Sequence, residues 1–344
     1  MAKGRSIIFM STKSGETPSF EEVHYLLRPA KNVQRKMICE ALARLEFLRP
    51  ITEYQYVGFG SVYFGDFLLF HRRLGIDKMT TIEGDLTAED RVWFNKPFDC
   101  IKVKMGFSTT QLDKIDVDLQ PNIIWFDYDG VLNEFMRVDV RSLAASAAPC
   151  SIIMVTIDAR WKAMVKKVDS VEAPNPEEYK ALSYPEKIAQ LTGDKRFLRG
   201  ENLVGDGFAE TCRESIQAEV ENGVAERNRV LAESDDADRI QFRQLFNFRY
   251  QDQAEMMTFG WLVYAESDAA KVGAAGFDKL DYYREGKNYF RIIAPKLTFH
   301  EVRAMNRYLP TDDLAAIKVP VSDEYKSDYK KIYRYFPSFT EAEI

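Results

Sequence analysis

The sequence predicts an α/β fold: a parallel sheet with helices on both faces, followed by a helical insertion after the fifth strand. Three observations predict it. Short apolar runs alternate with helix-spaced segments from about residue 52 to residue 160. A glycine pair, Gly58 and Gly60 in YVGFGSVYFGDF, separates the first such run from the first such helix. After Arg160 the chain turns charged and helical, with no strand pattern, until two further strand-like runs begin near residue 256.

Each element has a local reason. Residues 1–20 read as weakly structured. From Asn32 the apolar positions Val33, Met37, Ile38, Ala41, Leu42 and Leu45 have helical spacing, Asn32 is placed as N-cap, and Pro50 closes the segment. TEYQYVGFG is a strand ending in the glycine turn, and SVYFGDFLLFHRRLG is a helix stopped by Gly75. KMTTIEGD is the second strand. Thr87 then opens a helix, with Asp90 three residues on as a variant capping box. FDCIKVKMG alternates as a half-buried third strand, and NIIWFDYDG, after Pro121, is an apolar fourth. Residues 137–148 are helical, and SIIMVTID is the fifth strand.

The stretch 160–250 contains helices such as ETCRESIQAEVENGVAERNRVLAE. EMMTFGWLVYAE and NYFRIIAPK are two more strands, and LTFHEVRAMNRYLP is a helix opened by a Thr298–Glu301 capping box. The organisation expected is an N-terminal helical segment (1–53), a core (54–160), a helical insertion serving as lid or substrate region (161–250), the last strands (251–298) and a helical tail (299–344).

Composition excludes several classes. The 344 residues are 46% hydrophobic, enough for a sizeable core, and the formal net charge of −6 argues against a chain that binds nucleic acid over its whole surface. Cys39, Cys100, Cys150 and Cys212 form no CxxC pair, so neither a Cys-rich zinc site nor a disulfide framework is expected. No run approaches membrane-spanning length, and the apolar patch from Ile7 to Met10 is too short for a signal peptide, so a soluble cytoplasmic protein without membrane contacts is expected. His24, His71 and His300 are scattered, and there is no HExxH, P-loop or GxSxG pattern. Zinc hydrolysis, ATP hydrolysis and serine acyl transfer are set aside.

The candidate site residues sit at strand ends. Glycine after the first strand lets backbone pass close to a ligand, although Gly58 and Gly60 also suit a tight turn that packs strand on helix. Glu83 ends the second strand 25 residues after Gly58 (83 − 58), near the spacing at which an acid accepts from ribose hydroxyls. Gly106 and Ser108 follow the third strand, where Ser108 or Thr109 can instead cap a short helix. Asp127 and Asp129 leave the fourth strand where open α/β sheets place ligands, able to take a proton, orient a substrate or hold a metal. Asp158 is a weaker candidate on the same logic.

Arg28, Lys31, Arg35 and Lys36 cluster around the first helix. Arg35 and Lys36 read as a solvated face. Arg28 and Lys31 precede the helix, oppose its dipole and call for an anionic partner.

These residues resemble a class I S-adenosylmethionine-dependent methyltransferase. RPAKNVQRK at 28–36, YVGFGSVYFGDF and FNKPF at 94–98 are similar to a poorly characterised bacterial group of O-methyltransferases. The resemblance implies a Rossmann-like, doubly wound, seven-stranded sheet with the strands near 256–264 and 288–295 as its last two. It implies S-adenosyl-L-methionine as cofactor. The turn Gly58, Phe59, Gly60 and Ser61 would meet its methionine end, Glu83 its ribose, and the loop from Gly106 to Thr109, with Gly106 and Ser108, its adenine. Lys31 would pair with its carboxylate or with an acidic substrate. Asp127 and Asp129 would face the transferred methyl.

Tyr56 stands where the family's strand 1 acid is usual. TIDARW lacks the Asp-Asn pair of metal-dependent relatives, so no metal is expected. The expected reaction is methyl transfer to an oxygen or nitrogen of a small molecule rather than nucleic acid, with a homo-oligomer left open. The alternatives are a catalytically silent sensor or interaction module of the same fold and a nicotinamide-dependent oxidoreductase.

Overall fold

In a computed structural model, residues 28–199, 203–233 and 238–338 are described; the reading of residues 1–20 lies outside them. The strands are β1 (Gln55–Gly58), β2 (Lys78–Glu83), β3 (Ile101–Met105), β4 (Asn122–Asp127), β5 (Ser151–Asp158), β6 (Ile240–Gln251), β7 (Glu255–Ala265) and β8 (Phe290–Ile292). The helices are α1 (Pro29–Ala43), α2 (Gly65–Leu74), α3 (Glu89–Asn95), α4 (Ser108–Gln111), α5 (Glu134–Ser146), α6 (Trp161–Asp169), α7 (Pro176–Ala181), α8 (Tyr184–Thr192), α9 (Asp206–Leu231), α10 (Ala269–Ala274), α11 (Phe299–Asn306) and α12 (Asp323–Ile332). Among the described residues no helix is long and apolar enough to cross a membrane.

The strands form one sheet in the order β3-β2-β1-β4-β5-β7-β6-β8. The first five are parallel and doubly wound, β7 is antiparallel to both β5 and β6, and β8 is parallel to β6. Side chains alternate across it. Tyr56, Trp125, Ile152 and Met154 join a core with α1 and α2, while Val57, Ile124, Phe126, Ile153 and Val155 join the opposite core with α5 and α9.

Two expectations are corrected here. The sheet has eight strands, not seven, and the helical reading of 161–250 ends at Leu231, because Ile240–Gln251 is a twelve-residue strand. Its sequence, IQFRQLFNFRYQ, carries polar residues at positions that are buried. They find partners outside the local pattern: Gln244 Nε2 donates to the Gly286 carbonyl at 3.1 Å, Asn247 Nδ2 donates to the same carbonyl at 3.3 Å, and Arg249 pairs with Asp206. The run at 290–292 is the outer edge strand beside it.

Helix α1 begins at Pro29 rather than after Asn32. Its N-cap, Arg28, makes no side-chain cap. The Asp252 carboxylate, in the turn between β6 and β7, instead accepts from Ala30 N at 2.9 Å and Lys31 N at 3.0 Å. The Thr87 cap is likewise supplied from elsewhere: Thr87 N donates to Asp85 Oδ1, and α3 starts at Glu89. Gly75 does stop α2 in the left-handed conformation, and Thr298 with Glu301 does open α11.

Asp252→Ala is expected to destabilise the protein by about 1–2 kcal/mol, the cost of an N-cap plus a partly buried end. Urea unfolding of the two proteins checks this, and an unchanged midpoint would mean that α1 is held by its apolar face alone.

Candidate functional site

Strand β1 lies between β2 and β4, so the connections leaving β1 and β4 run in opposite directions along the sheet. Such a reversal opens a crevice at the carboxyl ends of the strands. A cleft of about 340 Å³ lies there. Phe59, Gly60 and Ser61 line it after β1, Glu83 and Asp85 after β2, Gly106 to Ser108 after β3, and Asp127 to Asp129 after β4. Arg35 and Asp66 complete the wall.

Eight residues singled out from the sequence therefore meet at one place: Phe59, Gly60, Ser61, Glu83, Gly106, Ser108, Asp127 and Asp129. Gly58 lies beneath the turn, where a Cβ would be 2.5 Å from the Tyr56 hydroxyl and 3.2 Å from the Trp125 carbonyl. It is a packing glycine. Asp158 is turned to its own neighbour, accepting from Arg160 N at 3.0 Å and Arg160 Nη2 at 2.6 Å.

The turn after β1 is drawn tight from within. Gly60 N donates to Thr81 Oγ1 at 2.8 Å, and a Cβ on Gly60 would meet that oxygen and the Phe64 ring at 2.8 Å each. Protein atoms alone already require glycine there. Gly106, at φ +128°, sits where a side chain would be strained, and its N–H donates to the Glu83 carbonyl at 2.8 Å.

Glu83 is half-buried, its Oε1 accepting from Asp85 N at 3.0 Å, and burial raises its carboxyl above the usual range. Ser108 caps no helix. Its hydroxyl donates to Asp139 Oδ2 at 2.5 Å, and Tyr128 Oη donates to the same oxygen at 2.7 Å, so buried Asp139 of α5 fixes the third and fourth loops to one another. Phe59 stacks on buried Phe126 at 4.8 Å and meets Tyr128 edge-on at 5.2 Å, so Phe59 and Tyr128 give one side of the cleft an aromatic wall.

Lys31 does not line the cleft. It is 2% exposed, and its Nζ donates to Asp127 Oδ1 at 2.7 Å and to Tyr250 Oη at 3.0 Å while lying 4.7 Å from the Trp125 ring centroid. Burial pulls its pKa below the ordinary lysine value, against the opposing pull of Asp127. The anionic partner that the sequence called for is thus Asp127. One turn on, Arg35 is 8% exposed and faces the cleft, which overturns its reading as a solvated residue. Lys36 donates to the Tyr335 carbonyl at 3.0 Å and so ties α1 to the tail.

Sequence reasoning missed Asp66, Asp139 and Tyr250. Asp66, 6% exposed, accepts from the Tyr56 hydroxyl, which ties α2 to β1 beside the cleft. The i,i+4 spacing of Lys31 and Arg35 was the one local sign that both cations share a helix face. At the opposite, amino edge of the sheet, His71 Nδ1 lies 3.2 Å from Asp77 Oδ1 and 3.9 Å from Cys100 Sγ, and also 3.0 Å from the Ile76 carbonyl.

The family described as "Putative O-methyltransferase" matches residues 23–344. The chain belongs to this family. No curated protein matches its sequence. Among solved structures, cofactor-bound Rv0187 from MTB is 12% identical, with a TM-score of 0.37 over 73% of this chain and 92% of that one. The O-methyltransferase TomG from Streptomyces achromogenes, in complex with SAM, is 11% identical, with a TM-score of 0.33 over 66% and 79% of the two chains. The O-methyltransferase from Bacillus cereus, in complex with SAH, is 9% identical, with a TM-score of 0.33 over 65% and 80%. With TM-scores this low, the architecture rests on the chain's own strand order.

A pH series tests the Lys31 environment. The folded protein releases the Lys31 proton below the ordinary value of 10.5, so between its folded pKa and 10.5 the unfolded chain binds more protons and stability rises with pH. Lys31→Met lacks this contribution. The stability of the wild type relative to Lys31→Met should therefore grow from pH 7 to pH 10, and a flat or falling difference would contradict the buried-ammonium assignment.

Proposed function

We propose that the chain transfers the methyl group of S-adenosyl-L-methionine to an oxygen or nitrogen nucleophile of a small molecule, with Asp127 and Asp129 facing the reaction. The observation that carries this reading is the convergence of Gly60, Glu83, Gly106 and Asp127 on one switch-point cleft. The residues present fit this cofactor. Among the described residues, five carboxylates, Asp66, Glu83, Asp85, Asp127 and Asp129, line the cleft against one lining cation, Arg35, with the Lys31 ammonium behind Asp127. That balance suits a sulfonium and opposes the pyrophosphate of a nicotinamide dinucleotide. Glu83 is held in place by the Asp85 N–H on its Oε1, and its half-buried carboxylate is the group that accepts from the ribose hydroxyls.

When bound, the cofactor supplies an electrophilic methyl on a positively charged sulfur. The protein's task is then mainly positioning. Lys31 occupies Asp127 Oδ1, so Oδ2 is the oxygen that accepts from the O–H or N–H of the acceptor. It aims the lone pair at the methyl and takes the proton as the new bond forms. Phe59 and Tyr128, backed by buried Phe126, keep water from that side.

Calorimetry with S-adenosylmethionine, S-adenosylhomocysteine, NAD and NADP tests the reading: the first two should bind and the dinucleotides should not. Binding without turnover on any acceptor would favour a sensor. Glu83→Gln separates site from scaffold. Burial raises the Glu83 pKa, so its charge at pH 7 costs folding stability, and the variant should melt no lower than the wild type. It should bind S-adenosylmethionine about ten- to a hundredfold more weakly through loss of charge-assisted hydrogen bonds. Unchanged affinity would remove Glu83 from the site.

A further inference from the structure

Helix α2 stops at Gly75, which takes the left-handed conformation with its N–H donating to the His71 carbonyl at 3.0 Å. That reversal folds the next residues back on the helix end. Asp77 Oδ1 comes to 3.2 Å from His71 Nδ1, and the Ile76 carbonyl to 3.0 Å. Cys100 arrives from another part of the chain, at the foot of β3, the edge strand of the sheet. Its Sγ lies 3.9 Å from the same nitrogen. Phe98 packs on the imidazole at 4.1 Å between ring centroids and limits its rotation. A carbonyl, a carboxylate and a thiol sulfur thus converge on one ring nitrogen. That nitrogen carries at most one hydrogen, so one proton cannot serve all three. A metal ion placed among them can.

We propose that His71, Asp77 and Cys100 form a binding site for a borderline-soft divalent cation, zinc foremost, at the amino edge of the sheet. Imidazole, thiolate and carboxylate are the donors that zinc takes, whereas a thiol is a poor ligand for magnesium or calcium. The geometry is close to what a tetrahedral ion needs. Ligands at zinc bond lengths stand about 3.3–3.6 Å apart. One donor atom from each side chain lies within 4.8 Å of the other two. The remaining gap closes by rotation of Asp77, whose side chain is 75% exposed and also gives the ion its way in. The Ile76 carbonyl or a water supplies the fourth ligand. Binding releases the Cys100 proton to solvent. The bound ion joins the end of α2, the approach to β2 and the first residue before β3, so its work is to clip the edge strand to the sheet. It lies across the sheet from the methyl-transfer cleft and takes no part in the reaction. The lack of a CxxC pair excluded a Cys-rich site, and this one needs a single cysteine.

The test uses the full, untagged chain, stripped of metal with a chelator and titrated with zinc against a chromophoric competitor. The wild type should bind zinc, and Cys100→Ser should weaken it by about a hundredfold or more. Asp77→Asn, a change at an exposed side chain, should weaken it by about tenfold. Cobalt in place of zinc should show a thiolate charge-transfer band in the wild type and none in Cys100→Ser, while Cys39→Ala keeps the band. Zinc should raise the melting temperature of the wild type and not that of Cys100→Ser. A wild type that binds no zinc overturns the proposal and leaves His71 and Asp77 as an ion pair. So does equal zinc affinity in the wild type, Asp77→Asn and Cys100→Ser, which would put the metal elsewhere on the chain. If Cys100→Ser does not fold, the wild-type cobalt spectrum and the Asp77→Asn titration decide alone: a missing band or an unchanged affinity overturns the site.

Discussion

The buried ammonium of Lys31 is the constraint on which the site depends. An isolated ammonium inside a protein costs several kcal/mol, so the helix that carries it can settle only where partners are waiting. Those partners come from two strands. Asp127 ends β4, Tyr250 lies near the end of β6, and the Trp125 ring supplies a π face between them. Satisfying Lys31 therefore lays α1 across the carboxyl edge of the sheet. Asp252 fixes the same helix end through two backbone N–H groups. With that end pinned, helix geometry alone brings Arg35 one turn on to the mouth of the β1 turn.

A second buried polar chain holds α1 down further along. Gln34 Nε2 donates to Thr258 Oγ1, Thr258 and Thr156 share a hydrogen bond of 2.6 Å, and Trp125 Nε1 donates to Thr156 Oγ1 at 3.0 Å. The chain crosses β7, β5 and β4 and ends on the tryptophan that lies beside Lys31. Such networks are costly when broken and specific when complete, so they set register as well as stability. The result is a site to which α1 contributes two buried cations, Lys31 and Arg35.

Much of this was legible in the sequence, for reasons that can be stated residue by residue. The first five strands are apolar runs between turn residues, and a parallel sheet buried on both faces produces that pattern directly. Their order places Gly60, Glu83, Gly106 and Asp127 at one edge, so the site followed from the fold. What stayed hidden was set by partners distant in sequence. Strand β6 reads as polar because Gln244, Asn247 and Arg249 are satisfied by Gly286 and Asp206 rather than by solvent. The start of α1 depends on a carboxylate more than two hundred residues away, and the roles of Asp66 and Asp139 depend on hydroxyls donated by Tyr56, Ser108 and Tyr128. Local propensity carries no trace of such pairings.

The most direct test of the account is a crystal structure of the protein grown with S-adenosylhomocysteine. The account predicts ligand density in the switch-point cleft, with the ribose hydroxyls on Glu83 and the sulfur directed toward Asp127. Density elsewhere, in the groove lined by Asp252 and Arg291 for example, would contradict it, as would a cleft that stays empty at saturating ligand.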